Sequence, residues 1–307
     1  MSVAPKFRPG AATGRPGDGP VSGSFEVVEH RRLGAYRLLS LAAPEIATRA
    51  RPGQFVQIAV AAPGTLLRRP FSIAAADGGT VTVVYDVHGP GTEWLAGVSL
   101  HDHVEMIGPL GRGFPIPNRR VNTLLVAGGY GAAPLFWLAD ALKPEGIRPD
   151  MINGAATEER LFGVIESKRQ SSSVVFTTDD GSFGTHGRVT DVLAERVEAC
   201  RTGVVYAVGP MGMLRAVAQE CQRLEVACQV AVEEQMACGV GVCWTCVIPI
   251  RAADGSVHNR RTCLEGPVFN GANIAWDETR WRVGPSVVPE EEEPEPPVRP
   301  TDQELFG

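Results

Sequence analysis

The chain has 307 residues, 44% of them hydrophobic, and a formal charge of −6 at pH 7, a length that allows two medium domains and a small one. Between Val287 and Gly307 seven acids stand against Arg299 and account for all of that charge, so the rest is near neutral and offers no basic surface for nucleic acid. The long apolar stretch from Leu124 to Ala139 is cut by Gly128, Gly129, Gly131 and Pro134 and is shorter than the ~20 residues of a spanning helix, which predicts no membrane segment.

Residues 1–20 are rich in Gly, Pro and Ala without hydrophobic periodicity and read as a disordered tail. The first thirty residues do not join a basic start to an apolar core as a signal peptide does, and the expected compartment is cytoplasmic. From 21 to 118, short β-branched runs such as Ser24–Val28, Gln54–Val60 and Thr80–Tyr85 alternate with turn residues and predict a small antiparallel barrel. Arg68-Arg69-Pro70-Phe71-Ser72 falls on one of its strands, and Gly89-Pro90-Gly91-Thr92 opens a helix. Both suit a flavin. Arg69 can fork onto pyrophosphate oxygens, Ser72 can hydrogen-bond the ribityl chain, and Phe71 can flank the ring. The start at Gly91 and Thr92 offers free N–H groups to a phosphate. Taken alone, a surface arginine beside a core phenylalanine explains the first motif equally well; its place before a glycine-Thr helix start and a doubly wound domain favours the flavin. His101 and His103, in a predicted loop, read as solvated.

From 119 to 230 the rhythm changes to strand and helix in alternation, the pattern of a doubly wound parallel sheet. Val121–Ala127, Asp150–Asn153, Ser173–Thr177 and Val204–Val208 are continuous apolar strands, with helices expected to Leu142 and over Glu158–Arg169, Val189–Ala199 and Met211–Leu224. After the first strand, Gly128, Gly129 and Gly131 allow a nucleotide backbone to approach, and Pro134 suits a first helical turn. Gly209 and Pro210 form a second loop on the same sheet edge. Thr178–Thr185 forms a third, whose acids either contact ribose hydroxyls or are simply solvated. Met151–Ala156 holds no arginine or lysine suited to a 2′-phosphate, which favours NAD over NADP.

Segment 231–282 carries the sharpest signal, Cys238-x4-Cys243-x2-Cys246-x16-Cys263, the plant-type spacing of a 2Fe–2S cluster. Three thiolates come from one tight loop and a fourth from a distant segment. Gly239 and Gly241 let that loop curl, and small residues leave room for N–H groups to face the sulfurs. Structural zinc usually has two short Cys knuckles and remains an alternative, whereas seven cysteines are an odd count for a disulfide framework. Cys200, Cys221 and Cys228 read as core thiols. Residues 283–307 read as a disordered Pro/Glu tail. Hydrolase triads and paired carboxylates are not evident, so the chemistry belongs to cofactors.

In this order, Arg69–Ser72, Gly91-Thr92, Gly128–Pro134, Thr178–Ser182, Gly209-Pro210-Met211, Glu233–Cys246 and Arg261–Phe269 resemble the electron-transfer subunit of NAD-dependent dihydroorotate dehydrogenase, within the ferredoxin-reductase superfamily. The resemblance covers about Phe25 to Trp276. It implies FAD held by Arg69, Pro70, Phe71 and Ser72, by Val84, Tyr85 and Asp86, and by Gly91 and Thr92, with Cys238, Cys243, Cys246 and Cys263 holding the cluster. Electrons from an FMN-containing catalytic subunit, in a heterotetramer, would pass through cluster and FAD to NAD⁺ in pyrimidine biosynthesis. Ala127 replaces a frequent family glycine and Val208 a frequent superfamily cysteine. Subunits of a hydrogenase, glutamate synthase or ferredoxin–NADP transhydrogenase share these cofactors and stay open, as does a zinc-binding regulatory scaffold of the same fold.

Overall fold

A computed structural model describes residues 19–278; apart from Gly19 and Pro20, the tails expected at 1–20 and 283–307 lie outside the described residues. In chain order the first elements are β1 (Val21–Leu33), β2 (Tyr36–Ala42), a single helical turn α1 (Pro44–Ala47), β3 (Phe55–Ile58), β4 (Arg69–Asp77), β5 (Thr80–Tyr85), α2 (Pro90–Ala96) and β6 (His103–Leu110). Their strands close into an antiparallel barrel in the order β1-β2-β5-β4-β3-β6, and closure removes free edges. Alternate side chains point inward: Leu39 and Leu41, Val56 and Ile58, Phe71 and Ile73, Val81 and Val83, Val104 and Met106 share one core. On the outer face of β3 stand Phe55 and Gln57. Both are buried all the same, because the C-terminal part of the chain packs over them.

The second unit comprises β7 (Thr123–Gly128), α3 (Ala132–Leu142), β8 (Asp150–Ala155), α4 (Val164–Gln170), β9 (Val174–Thr178), β10 (Thr185–His186), α5 (Leu193–Ala199), β11 (Val204–Val208), α6 (Met211–Arg223) and β12 (Ala227–Ala231). A hairpin of β13 (Val247–Arg251) and β14 (Val257–Arg261), the short α7 (Thr262–Glu265) and β15 (Val268–Asn270) complete the chain order. The sheet order is β10-β9-β8-β7-β11-β12-β15, parallel except for β15, which returns antiparallel to β12. The central strands β7 and β11 are continuous apolar runs because both faces are covered. Leu125 and Tyr206 pack with Leu135 and Leu138 of α3; Leu124, Val126, Val205 and Ala207 pack with Leu193 of α5 and Leu214 and Val217 of α6.

One expected helix is broken. Glu158–Arg160 forms a 3-10 turn and α4 begins only at Val164, with Gly163 between them at φ +66°. A Cβ there would lie 2.4 Å from the Phe136 ring on α3, so glycine lets the chain turn left-handed past its neighbour. Three contacts fix barrel against sheet. Phe114 meets Tyr206 edge-on at 5.5 Å, the Tyr206 hydroxyl donates to the Pro115 carbonyl at 2.7 Å, and Arg160 pairs with Asp86 at 2.7 Å.

Candidate functional site

A cleft of about 390 Å³ opens between barrel and sheet. Strand pairing of β4 with β3 and β5 brings Arg69, Pro70, Phe71, Ser72, Val84, Tyr85 and Asp86 to its wall, and Thr92 of α2 and Gly131 complete it. Gly91 stands behind them. Its missing Cβ would sit 3.1 Å from Arg69 Nε, so glycine lets the arginine lie across the start of α2. The Thr92 hydroxyl oxygen accepts from the N–H groups of His88 and Gly89 at 3.0 and 3.2 Å. Its side chain therefore closes the helix start, and what this turn offers a ligand is backbone.

A second cleft of about 570 Å³ lies where the sheet order reverses, at the C-terminal ends of β7 and β11, the usual ligand edge of such sheets. It gathers Gly128, Gly129, Gly131, Gly209 and Pro210. The two glycine loops touch: a Cβ on Gly209 would come 3.1 Å from the Gly128 Cα, and one on Gly131 would come 2.6 Å from the Val208 carbonyl oxygen. From the acidic loop, Asp179 reaches this cleft. Asp180 instead accepts from the Ser182 N–H and hydroxyl at 3.0 and 2.6 Å, bonds that hold its pKa down.

Asp86, Tyr130, Gly131 and Glu233 line both clefts, so a ligand in one meets a ligand in the other across a shared wall. Several wall residues escape sequence reasoning. Tyr36, whose hydroxyl donates to the Arg160 carbonyl at 2.7 Å, and the cations Arg160 and Arg188 line the second cleft. Glu233 and Glu234 could have been noticed as paired acids just before the cysteine loop. Partial burial pushes Glu234 up to about 7; Glu233 is open to solvent, yet the crowding of protein around its carboxylate raises it as well, against the opposing influence of His88.

The four predicted cysteines converge beside the first cleft. Cys246 and Cys263 are buried with Phe55 and Leu110, and Met236 packs against them; Phe55 and Met236 also line the cleft. Cys238 is half-buried and Cys243 exposed. The thiols fall into two contacting pairs, Cys238 with Cys243 and Cys246 with Cys263, and all four are free. Among the described residues no three His, Cys, Asp or Glu side chains close around a single-ion point. Two pairs fit a body with two irons, each taking two thiolates. The loop is shaped for negative sulfur: the N–H groups of Val240, Val242 and Cys243 donate to Cys238 Sγ at 3.4, 3.4 and 3.5 Å, and Thr245 donates its hydroxyl to Cys243 Sγ at 3.2 Å. The Thr245 hydroxyl, with further hydrogen bonds from the Thr245 backbone and from Cys238, lowers the Cys243 pKa to about 6. Burial, joined by Cys246, pushes Cys263 up to about 12. Gly239, Gly241 and Trp244 take positive φ of 71°, 84° and 57°, and Arg261 braces the loop by donating to the Gly241 carbonyl at 2.8 Å and lying 4.4 Å over the Trp244 ring.

Residues 233–275 match the family model for the iron-sulfur cluster binding domain of dihydroorotate dehydrogenase B. The dihydroorotate dehydrogenase B (NAD(+)) electron transfer subunit of Desulforamulus reducens is 35% identical over 76% of this chain and 90% of that protein. Its counterpart from Geobacillus kaustophilus is 39% identical over 73% and 86%. The chain belongs to this electron transfer subunit family. A chain of the NADH-dependent reduced ferredoxin-NADP oxidoreductase structure superposes with a TM-score of 0.73 at 31% identity, over 83% of this chain and 90% of that one. The Neisseria gonorrhoeae ferredoxin NADP⁺ reductase, at 13% identity, a TM-score of 0.53 and coverage of 66% and 91%, shares the fold. The expected family and three-part fold class therefore hold. Of the departures from family pattern, Ala127 is wholly buried in β7 and Val208 is an apolar wall of the first cleft. Among the described residues no helix is long and apolar enough to cross a membrane.

Proposed function

We propose that this chain is the electron transfer subunit of a dihydroorotate dehydrogenase B, linking a catalytic partner to NAD⁺ in pyrimidine biosynthesis. The single observation that carries the reading is that Phe55 and Met236 wall both the first cleft and the buried cysteine pair. When bound, a 2Fe–2S cluster supplies one-electron transfer, FAD exchanges one or two electrons, and nicotinamide takes hydride. Arg69 to Ser72, Val84 to Asp86 and the Gly91-Thr92 turn would hold FAD in the first cleft. Gly128, Gly129, Gly131, Gly209 and Pro210 admit NAD to the second, and Asp179 receives its ribose. Tyr130 and Glu233, on the wall common to both clefts, would contact both groups. Cys238, Cys243, Cys246 and Cys263 hold the cluster. Segments 21–118, 119–230 and 231–282 are the corresponding FAD, nucleotide and cluster domains.

The partner is an FMN-containing catalytic subunit in a cytoplasmic heterotetramer. Its docking face is the cluster loop, where Val242 is 76% and Trp244 54% exposed, far more apolar surface than a solvated loop needs. Mixing the purified chain with that catalytic subunit should give dihydroorotate-dependent NADH formation that neither gives alone. Loaded protein that stays inactive in the mixture contradicts the reading. The 31% identical chain of the ferredoxin-NADP oxidoreductase structure favours one competitor, a subunit coupling NADH to ferredoxin. Co-purification of a second flavin subunit that reacts with ferredoxin and not dihydroorotate would select it.

A further inference from the structure

Gln57 is 0% exposed, and among the described residues it is the side-chain amide whose oxygen and nitrogen are both buried without a hydrogen-bond partner. Buried amides are seldom left so. Its strand neighbours Val56 and Ile58 face the barrel core, which turns Gln57 outward beside Phe55, and Phe55 packs on Cys246 and Cys263. Ile107, its register partner on β6, packs at the same place. The amide lies directly under the cysteine loop: a Cβ on Gly239 would come 2.6 Å from Gln57 Nε2, and Gly239 adjoins Cys238. Gln57 does not line the first cleft, and its Nε2 faces the cysteine loop, so the acceptor that satisfies its N–H belongs to the cluster side.

We propose that Gln57 donates its side-chain N–H to a sulfur of the 2Fe–2S cluster and sets the cluster's reduction potential. Reduction adds one electron and one negative charge to the cluster, and a fixed N–H dipole aimed at sulfur favours the more negative state. The inference rests on the four cysteines holding that cluster and adds a determinant that cysteine spacing does not contain.

The test is an EPR-monitored redox titration of the full chain, prepared anaerobically, against Gln57→Met, which keeps side-chain length and removes the donor. The expected result is full iron content with a more negative midpoint: about a tenfold lower reduced-to-oxidised ratio at fixed potential, or about 59 mV for a one-electron couple. An unchanged midpoint in a fully loaded variant overturns the proposal. Wild-type protein without iron or labile sulfide would instead overturn the cluster reading. If Gln57→Met takes up no cluster, the donor can be sought directly in protein carrying side-chain ¹⁵N-glutamine, in a Gln235→Glu background that removes the glutamine three residues before Cys238. Pulsed EPR of the reduced cluster should then show a ¹⁵N coupling, and its absence also overturns the proposal.

Discussion

The two cysteine pairs converge on one place, Cys263 reaching the loop of the other three from α7, yet they live in opposite surroundings. Cys246 and Cys263 are sealed beneath Phe55, Leu110 and Met236, of which Phe55 and Met236 also wall the first cleft. Cys238 and Cys243 lie at the rim, wrapped by backbone N–H groups and flanked by the exposed Val242 and Trp244. Packing makes one half, and hydrogen bonding to sulfur makes the other. A relay needs such asymmetry, with an insulated side toward its own flavin and an accessible side toward a partner.

The largest expected effect comes from removing a ligand. Cys246→Ala, Cys263→Ala and Cys243→Ala should each lose nearly all iron by metal analysis. Urea melts of the cluster-free proteins should then separate the halves: the two buried substitutions cost about 1 kcal/mol, and Cys243→Ala costs almost nothing. Equal costs would erase the distinction between packed and hydrogen-bonded pairs. Phe55→Ala attacks the inner wall, and truncating so buried a ring should cost about 3 kcal/mol. With FAD restored to saturation, dye reduction by NADH should persist while partner-linked turnover falls. If both fall in parallel, Phe55 serves the fold alone. Trp244→Ala attacks the outer side: affinity for the catalytic partner, measured by titration calorimetry, should weaken roughly thirtyfold, or about 2 kcal/mol. Iron content and NADH-dye activity should be unaltered.

The smallest effect is a pH profile. In cluster-free protein, Cys243 should alkylate half-maximally near pH 6, because the thiolate reacts and Thr245 stabilises it. Cys263, held up to about 12 by burial, should stay unlabelled at pH 8. Peptide mapping with iodoacetamide reads both, and similar rates at the two thiols would contradict the asymmetry.

Cysteine spacing pointed to four thiols that the fold brings together, and unbroken apolar runs at β7 and β11 disclosed the doubly wound sheet, because each signal is local in sequence. The barrel was legible from short alternating runs. What escaped is what tertiary packing assembles. Phe55 and Gln57 read as ordinary strand residues, and only closure of the barrel against a segment some 180 residues later gives them a role. Arg160 stands in a segment whose periodicity predicts helix, and Gly163 breaks that helix because the Phe136 ring occupies the space a side chain would need. Arg160 and Arg188 likewise enter the second cleft from outside the strand end at Met151–Ala156. β15 is three residues long, too short for any periodic signal.

The most direct test adds NADH anaerobically to the isolated, FAD-replete chain and tracks the low-temperature EPR spectrum. A reduced 2Fe–2S signal should appear, with two irons and two labile sulfides per chain by analysis. Flavin that bleaches while no iron–sulfur signal develops, or a protein that carries zinc in place of iron, would contradict a cleft and a cysteine quartet joined through Phe55 and Met236.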